Sequence, residues 1–139
     1  MKILFLCVGN SARSQIAEGL AKDMLPKSFE ILSAGSSPSE NVHPYAVSCM
    51  NEIGIDISSQ TSKSIQELDD KFIKKLDFVI TLCAEEVCPV LDNNATRINW
   101  PNPDPAFGSM SRRQEEKVFR EVRDNIFNIL KKFYIDIKM

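Results

Sequence analysis

The sequence predicts an α/β fold: a single-domain three-layer sandwich in which a four-stranded parallel sheet carries helices on both faces. Three observations predict it. Short strand-like runs at residues 3–6, 29–33, 76–82 and 96–100 alternate with stretches of helical periodicity, and right-handed crossovers turn that alternation into a parallel sheet. Residues 76–82 are apolar at nearly every position rather than every second one, as in a strand buried on both faces. The 139 residues, 43% apolar and 26% charged, build one core and leave no room for another, so residues 1–139 are read as one domain.

The first strand, at Ile3, Leu4, Phe5 and Leu6, runs into the loop Cys7-Val8-Gly9-Asn10-Ser11-Ala12-Arg13-Ser14. A helix is expected from Ser14, because Ile16, Ala17, Leu20, Ala21, Met24 and Leu25 recur at helical spacing, Glu18 and Lys22 pair four apart on another face, and Pro26 ends it. A second strand at residues 29–33 closes at Gly35, and residues 36–41 form a polar loop. Pro44 suits the first turn of a second helix whose stripe is Ala46, Val47, Met50 and Ile53, with Gly54 as its stop. Ser64 and Glu67 have capping-box spacing for a short helix. The central strand at 76–82 ends at Cys83, and a fourth strand at 96–100 leads to Pro101-Asn102-Pro103-Asp104-Pro105, which cannot be regular structure. Ser111 and Gln114 cap a last amphipathic helix with the stripe Val118, Val122, Ile126, Leu130, Phe133 and Ile137.

Composition excludes several classes. The net charge of −2, without a Lys/Arg cluster, argues against nucleic acid as partner. The apolar run after Met1-Lys2 is too short for a signal-peptide core or a membrane span, so a cytoplasmic protein without a membrane partner is expected. A monomer is expected, and no cofactor or metal is called for. Four cysteines, Cys7, Cys49, Cys83 and Cys88, are in a reducing compartment chemical or metal-binding rather than structural bridges.

The chemistry starts at the first loop. A loop that opens a helix aims backbone N–H groups and the positive end of the helix dipole into one small volume, which favours a bound oxyanion. Val8, Gly9, Asn10, Ser11, Ala12, Arg13 and Ser14 are therefore the candidate oxyanion-binding residues. The planar guanidinium of Arg13 can hold two oxygens of a tetrahedral anion. The same field favours a thiolate at Cys7, to which Ser14 can donate its hydroxyl, so Cys7 reads as a nucleophile beneath an anion seat. The competing reading is a buried strand cysteine beside an ordinary turn. Asp104, on a proline-stiffened loop, suits a general acid that protonates a leaving oxygen while Cys7 attacks; its competitor is a turn aspartate.

In open parallel sheets ligands bind beyond the carboxyl ends of the strands, and Cys7, Cys83 and Asp104 map to that edge. Cys83 and Cys88 have the placement of a thiol pair that relays oxidation away from Cys7, against inert packing or a zinc site shared with Cys7 or His43. His43 beside Pro44 reads as a helix opener, Glu85-Glu86 as solvated surface, and Trp100 and Cys49 as core.

These motifs, together with Gln15-Ile16-Ala17-Glu18-Gly19, Ser33-Ala34-Gly35, Gly54-Ile55-Asp56-Ile57, Thr81-Leu82-Cys83, Cys88-Pro89 and Asp104-Pro105, resemble the arsenate reductases of the low-molecular-weight tyrosine phosphatase fold along nearly the whole chain. The resemblance implies arsenate as substrate, with phosphate or sulfate as analogues. It implies Cys7 as nucleophile, Cys83 as the thiol that displaces arsenite, Cys88 as the thiol that takes over the disulfide, and Asp104 as general acid. The reductant would be thioredoxin or a glutathione/glutaredoxin system. Ala12 stands where many relatives carry a further cysteine. Some relatives bind potassium through positions matching Asn10, Glu18, Ser33 and an acidic residue that here is Lys63. Two alternatives carry other functions: a low-molecular-weight tyrosine phosphatase using Cys7, Arg13 and Asp104, and a non-catalytic oxyanion or redox sensor.

Overall fold

The computed structural model describes residues 1–83, 91, 94–105 and 111–138. Four strands, β1 (Lys2–Cys7), β2 (Glu30–Gly35), β3 (Phe78–Thr81) and β4 (Thr96–Asn99), form one parallel sheet in the order β2-β1-β3-β4. The first strand is thus central, and its carboxyl end delivers Cys7 beside Gly35 of β2. The side chains of β1 alternate: Ile3, Phe5 and Cys7 join one core, Leu4 and Leu6 the other.

The first core lies under α1 (Arg13–Met24), α2 (Pro44–Asn51) and α4 (Arg112–Ile137). Phe119, Val122, Ile126 and Leu130 of α4 are almost wholly buried, and Phe133 packs edge-on against Phe78 and Trp100. The second core is closed by a 3-10 turn (Ile65–Glu67) and by α3 (Asp70–Lys74), with Leu68, Phe72 and Leu76 against Leu4, Leu6 and Val79. The expected three-layer parallel fold is what forms.

Local differences have local causes. The second helix stops at Asn51 and leaves Ile53 exposed, because Gly54 at φ +80° turns the chain and Gly54 N bonds back to Asn51 O. The Ser64/Glu67 pair opens a single 3-10 turn, with Ser64 N donating to Glu67 Oε2. The helix α3 that follows is capped by Asp69. The capping box at Ser111 and Gln114 forms as expected, each backbone N–H donating to the other's side chain. Of the last stripe, Val122, Ile126, Leu130 and Phe133 are buried, whereas Val118 and Ile137 pack at the margin. The expectation for Glu85-Glu86 lies outside the described residues.

α2 is fastened to α4 by charge. Arg123 Nη1 donates to Cys49 O at 2.7 Å and to Glu52 Oε1 at 2.8 Å, while Arg120 holds Glu52 through Nε and Nη2. Hydrogen bonds from Arg120 hold the Glu52 carboxyl at about 2, well below its ordinary 4.5, and Arg123 adds to this against a desolvation that opposes it. A depressed carboxyl contributes stability that is complete above its unfolded value and fades as the pH falls to its folded value. Glu52 is 37% exposed, so solvent screens the pair. Glu52→Gln should therefore cost under about 1 kcal/mol at neutral pH. In urea unfolding, the gap between variant and wild type should shrink as pH falls from 4.5 towards 2 and should narrow in high salt.

Candidate active site

The loop after β1 is shaped from outside. Ser37 N donates to Val8 O, Ser39 N to Gly9 O at 2.8 Å and His43 N to Ser11 O at 2.8 Å, so residues 36–43 bind the loop's carbonyls on its outer edge. In a trans peptide the N–H points opposite to the carbonyl, and the amides of Gly9, Asn10 and Ala12 are accordingly turned the other way. Asn10 N shows this directly, donating to Cys7 Sγ at 3.2 Å. No side chain caps the N-terminus of α1, so its first amides are not spent on a capping group and suit an anion.

Asn10 holds the curve. It sits at φ +47°, the one positive-φ residue other than glycine among those described, a conformation asparagine tolerates better than most. Its Nδ2 donates to Ser14 Oγ (2.7 Å) and Ser33 Oγ (2.9 Å), and its Oδ1 accepts from Gln15 Nε2 (3.0 Å) and Lys63 N (2.9 Å). Gly35 is needed beside it, since a Cβ there would strike the Val8 carbonyl oxygen. Because Ser14 Oγ accepts from Asn10, its own hydrogen is free to point at Cys7 Sγ, 2.8 Å away. Two donors thus face the sulfur, an arrangement that suits a negatively charged nucleophile.

Above Cys7 opens a cavity of about 330 Å³ lined by Cys7, Val8, Gly9, Ser11, Ala12, Arg13, Ser39 and Asp104. The fold brings Cys7, Arg13 and Asp104 to one cavity, as the sequence reading expected. Arg13 is 4% exposed, with Nη1 donating to Leu82 O (3.3 Å) and Asn102 O (3.1 Å). Cys83 lies buried just past the end of β3, the neighbour of the nucleophile's strand, and is disulfide-bonded, whereas Cys7 and Cys49 are free. Cys88 lies outside the described residues. Ser39 was not singled out in the sequence, because a serine in a polar loop carries no signal until the fold folds that loop over the site.

The remaining candidates take structural places. His43 caps α2, its Nδ1 accepting from Tyr45 N, and stacks near Phe119. Cys49 is buried, and burial pushes its thiol up to about 11, which makes it a poor nucleophile. Trp100 is core, packed near Phe5. Among the described residues no three His, Cys, Asp or Glu side chains gather to hold a metal, and no described helix is long and apolar enough to cross a membrane.

Comparison with known proteins adds the decisive fact: the family model described as low molecular weight phosphotyrosine protein phosphatase matches residues 2–139. The chain belongs to that family. Within the phosphatase family its relatives include an arsenate reductase of Halalkalibacterium halodurans, 45% identical over 133 residues that span 94% of this chain and 93% of the relative. A solved arsenate reductase in its phosphate-binding state has 33% identity and a TM-score of 0.78, with 98% of each chain covered. A thioredoxin-dependent arsenate reductase of Corynebacterium glutamicum has 30% identity and a TM-score of 0.69, covering 97% of this chain and 62% of that one.

The potassium position of some family members does not fit a metal here. Lys63 Nζ lies 3.7 Å from Glu18 Oε1, and Lys22 Nζ lies 2.6 Å from Glu18 Oε2; Ser33 Oγ donates to the same carboxylate at 2.6 Å. The charge a metal would neutralise is already met by ammonium groups. Potassium and sodium chloride at equal ionic strength should therefore give the same melting temperature and activity; a saturable rise with potassium alone would contradict this assignment. If Arg13 is the anion's clamp, Arg13→Lys should lower kcat/KM by about a hundredfold or more, because a point charge cannot replace a planar fork that follows an oxyanion into the transition state. Steady-state kinetics on the folded variant checks it.

Proposed function

We propose that this protein reduces arsenate to arsenite by a relay of cysteines, as an agent of arsenic detoxification in the cytoplasm. The observation that carries the reading is a free Cys7 faced by two hydrogen-bond donors at the base of a cavity shared with Arg13 and Asp104. Its arsenate reductase relatives, matched along nearly their whole length, supply the substrate. In the first step the Cys7 thiolate attacks arsenic while the loop amides and Arg13 hold the other oxygens. Asp104 gives its proton to the departing oxygen, which leaves as water.

The adduct is then a thiol ester of arsenate. Attack of the Cys83 thiolate on Cys7 Sγ forms the Cys7–Cys83 disulfide, and the electron pair of the sulfur–arsenic bond stays on arsenic, which departs as arsenite. Arsenic gains two electrons and the two thiols lose two. Cys88 then attacks Cys83, restoring Cys7 and leaving a Cys83–Cys88 disulfide for an external dithiol. Support for this order comes from Cys83 lying past the end of the strand paired with that of Cys7 and being disulfide-bonded while Cys7 is free. The thioredoxin-dependent relative favours thioredoxin as the dithiol over glutathione with glutaredoxin.

Arsenate-dependent oxidation of reduced thioredoxin, run beside hydrolysis of an aryl phosphate, tests the reading: consumption of reductant with little hydrolysis is expected, and the reverse would make the protein a phosphatase. The two relay variants should differ. Cys83→Ser should release no arsenite in a single turnover, whereas Cys88→Ser should release one equivalent and stop at the Cys7–Cys83 disulfide. Normal cycling of Cys88→Ser with every reductant would remove Cys88 from the relay.

A further inference from the structure

We infer that Asn102 is a positioning residue for the oxyanion site, setting the plane of Arg13 through its backbone carbonyl and holding that carbonyl in place through its side-chain amide. The inference rests on the reading of the Cys7 loop as an oxyanion seat. A guanidinium grips a tetrahedral anion with two nitrogens only when its plane faces the anion. Here Nη1 of Arg13 is committed on the protein side, to Leu82 O and Asn102 O. Those two carbonyls are tied to each other, because Asn102 N donates to Leu82 O at 3.2 Å, one step beyond the Trp100 N to Thr81 O bond of 2.7 Å. Arg13 is thus seated on a clamp built past the ends of β3 and β4, and Asn102 supplies half of it.

The direction of the Asn102 carbonyl is set by its own backbone. Pro103 after it disfavours the helical region at Asn102, and the ring of Pro101 fixes the φ of Pro101 itself, just before it. The third constraint is the side chain, whose Nδ2 donates to Trp100 O at 3.1 Å and closes the turn over Pro101. The other end of that amide is unusual: Asn102 is 1% exposed, and its Oδ1 is the one buried side-chain nitrogen or oxygen among the described residues without a hydrogen-bond partner. An aliphatic side chain of similar size would carry no such unpartnered acceptor. What the amide contributes is its donor, and the donor acts on the backbone that holds Arg13. The same segment continues through Pro103 into Asp104, so one residue fixes both the cation and the base of the loop that brings the acid.

The test uses inorganic phosphate as probe and the full chain carrying Cys7→Ser, with affinity measured by calorimetry and folding by thermal melting. Asn102→Leu, which keeps the bulk and removes the donor, should weaken phosphate about tenfold, while Asn102→Gln, which keeps an amide donor, should recover most of that loss. Asn102→Ala, which also lacks a donor, stands in for the leucine variant if the latter does not fold. Unchanged phosphate affinity in a folded donor-less variant, even with a lowered melting temperature, would make Asn102 a structural residue and overturn the inference. So would a glutamine variant as weak as the leucine one. Absence of phosphate binding by the Cys7→Ser parent would instead overturn the oxyanion reading on which the inference rests.

Discussion

The left-handed turn at Asn10 is the constraint on which the site depends. A residue with a Cβ held at φ +47° costs on the order of 1–3 kcal/mol and persists only where its surroundings over-determine it, as they do here. Both Nδ2 hydrogens and the Oδ1 lone pairs are engaged, and Asn10 O accepts from Gln15 Nε2 and Ser62 Oγ. That conformation aims Asn10 N at Cys7 Sγ, and the side chain places Ser14 Oγ on the other side of the same sulfur. A glycine would accept the dihedral and lose the amide. An alanine would lose the amide and strain the turn as well.

The polar demands of this loop explain an otherwise odd helix. α1 is buried from Arg13 through Ala21, including Arg13, Ser14, Gln15 and Glu18, although buried polar groups are costly when unpaired. Each has found partners: Gln15 bridges Asn10, Thr61 and Gln60, and Glu18 meets Lys22, Lys63 and Ser33. The helix is therefore amphipathic in an unusual sense, with apolar side chains towards the first core and a hydrogen-bonded polar face towards residues 60–63. One helix of twelve residues thus both packs the first core and fixes the shape of the Cys7 loop. The sheet order adds the last requirement, because a central β1 is flanked by β2 and β3, and both neighbours end at the site.

What could be read before folding was whatever the chain writes locally. The strand-loop-helix junction from Cys7 to Ser14, the capping box at Ser111 and Gln114, and the proline run before Asp104 each declare themselves within a few residues. Gly54 is the expected stop of the second helix, yet Ile53 on its stripe is exposed, because the turn closed by Gly54 N on Asn51 O already takes in the two residues before the glycine. Periodicity passed over α3, five residues long and thus shorter than the window in which a helical stripe can be seen. Phe119, fully buried beside His43 and Tyr45, is missing from the stripe drawn through Val118 and Val122, although it lies three residues before Val122 on the same face. Helical spacing places it with Val122, Ile126, Leu130 and Phe133 on the buried face, where Val118 only packs at the margin. Ser39 and Asn102 were silent because neither acts locally: one acts by crossing over the Cys7 loop, the other by meeting Arg13 across 89 residues of sequence.

The cradle by itself does not choose between phosphate and arsenate chemistry. Both anions are tetrahedral, and in the proposed first step both would be gripped by backbone amides and one guanidinium and attacked by Cys7 with Asp104 as acid. They part at the second step. A phosphorylated thiol offers no accessible lower oxidation state at phosphorus, so its fate is hydrolysis. Arsenic(V) bound to sulfur can instead accept the electron pair of the bond that is breaking, provided another thiolate reaches Cys7 Sγ from behind. The decision therefore belongs to what stands next to the nucleophile's strand. In this sheet that neighbour is β3, which runs parallel to β1 and leads directly into Leu82 and Cys83. Leu82 is held on both sides, its N–H by Leu6 O and its carbonyl by Arg13 and Asn102. Arg13 is thereby bonded to the residue that precedes Cys83. In the proposed relay, anion binding and thiol attack are thus organised around the same guanidinium, and a movement of the chain at Cys83 is felt first at Leu82 O and then at the anion seat.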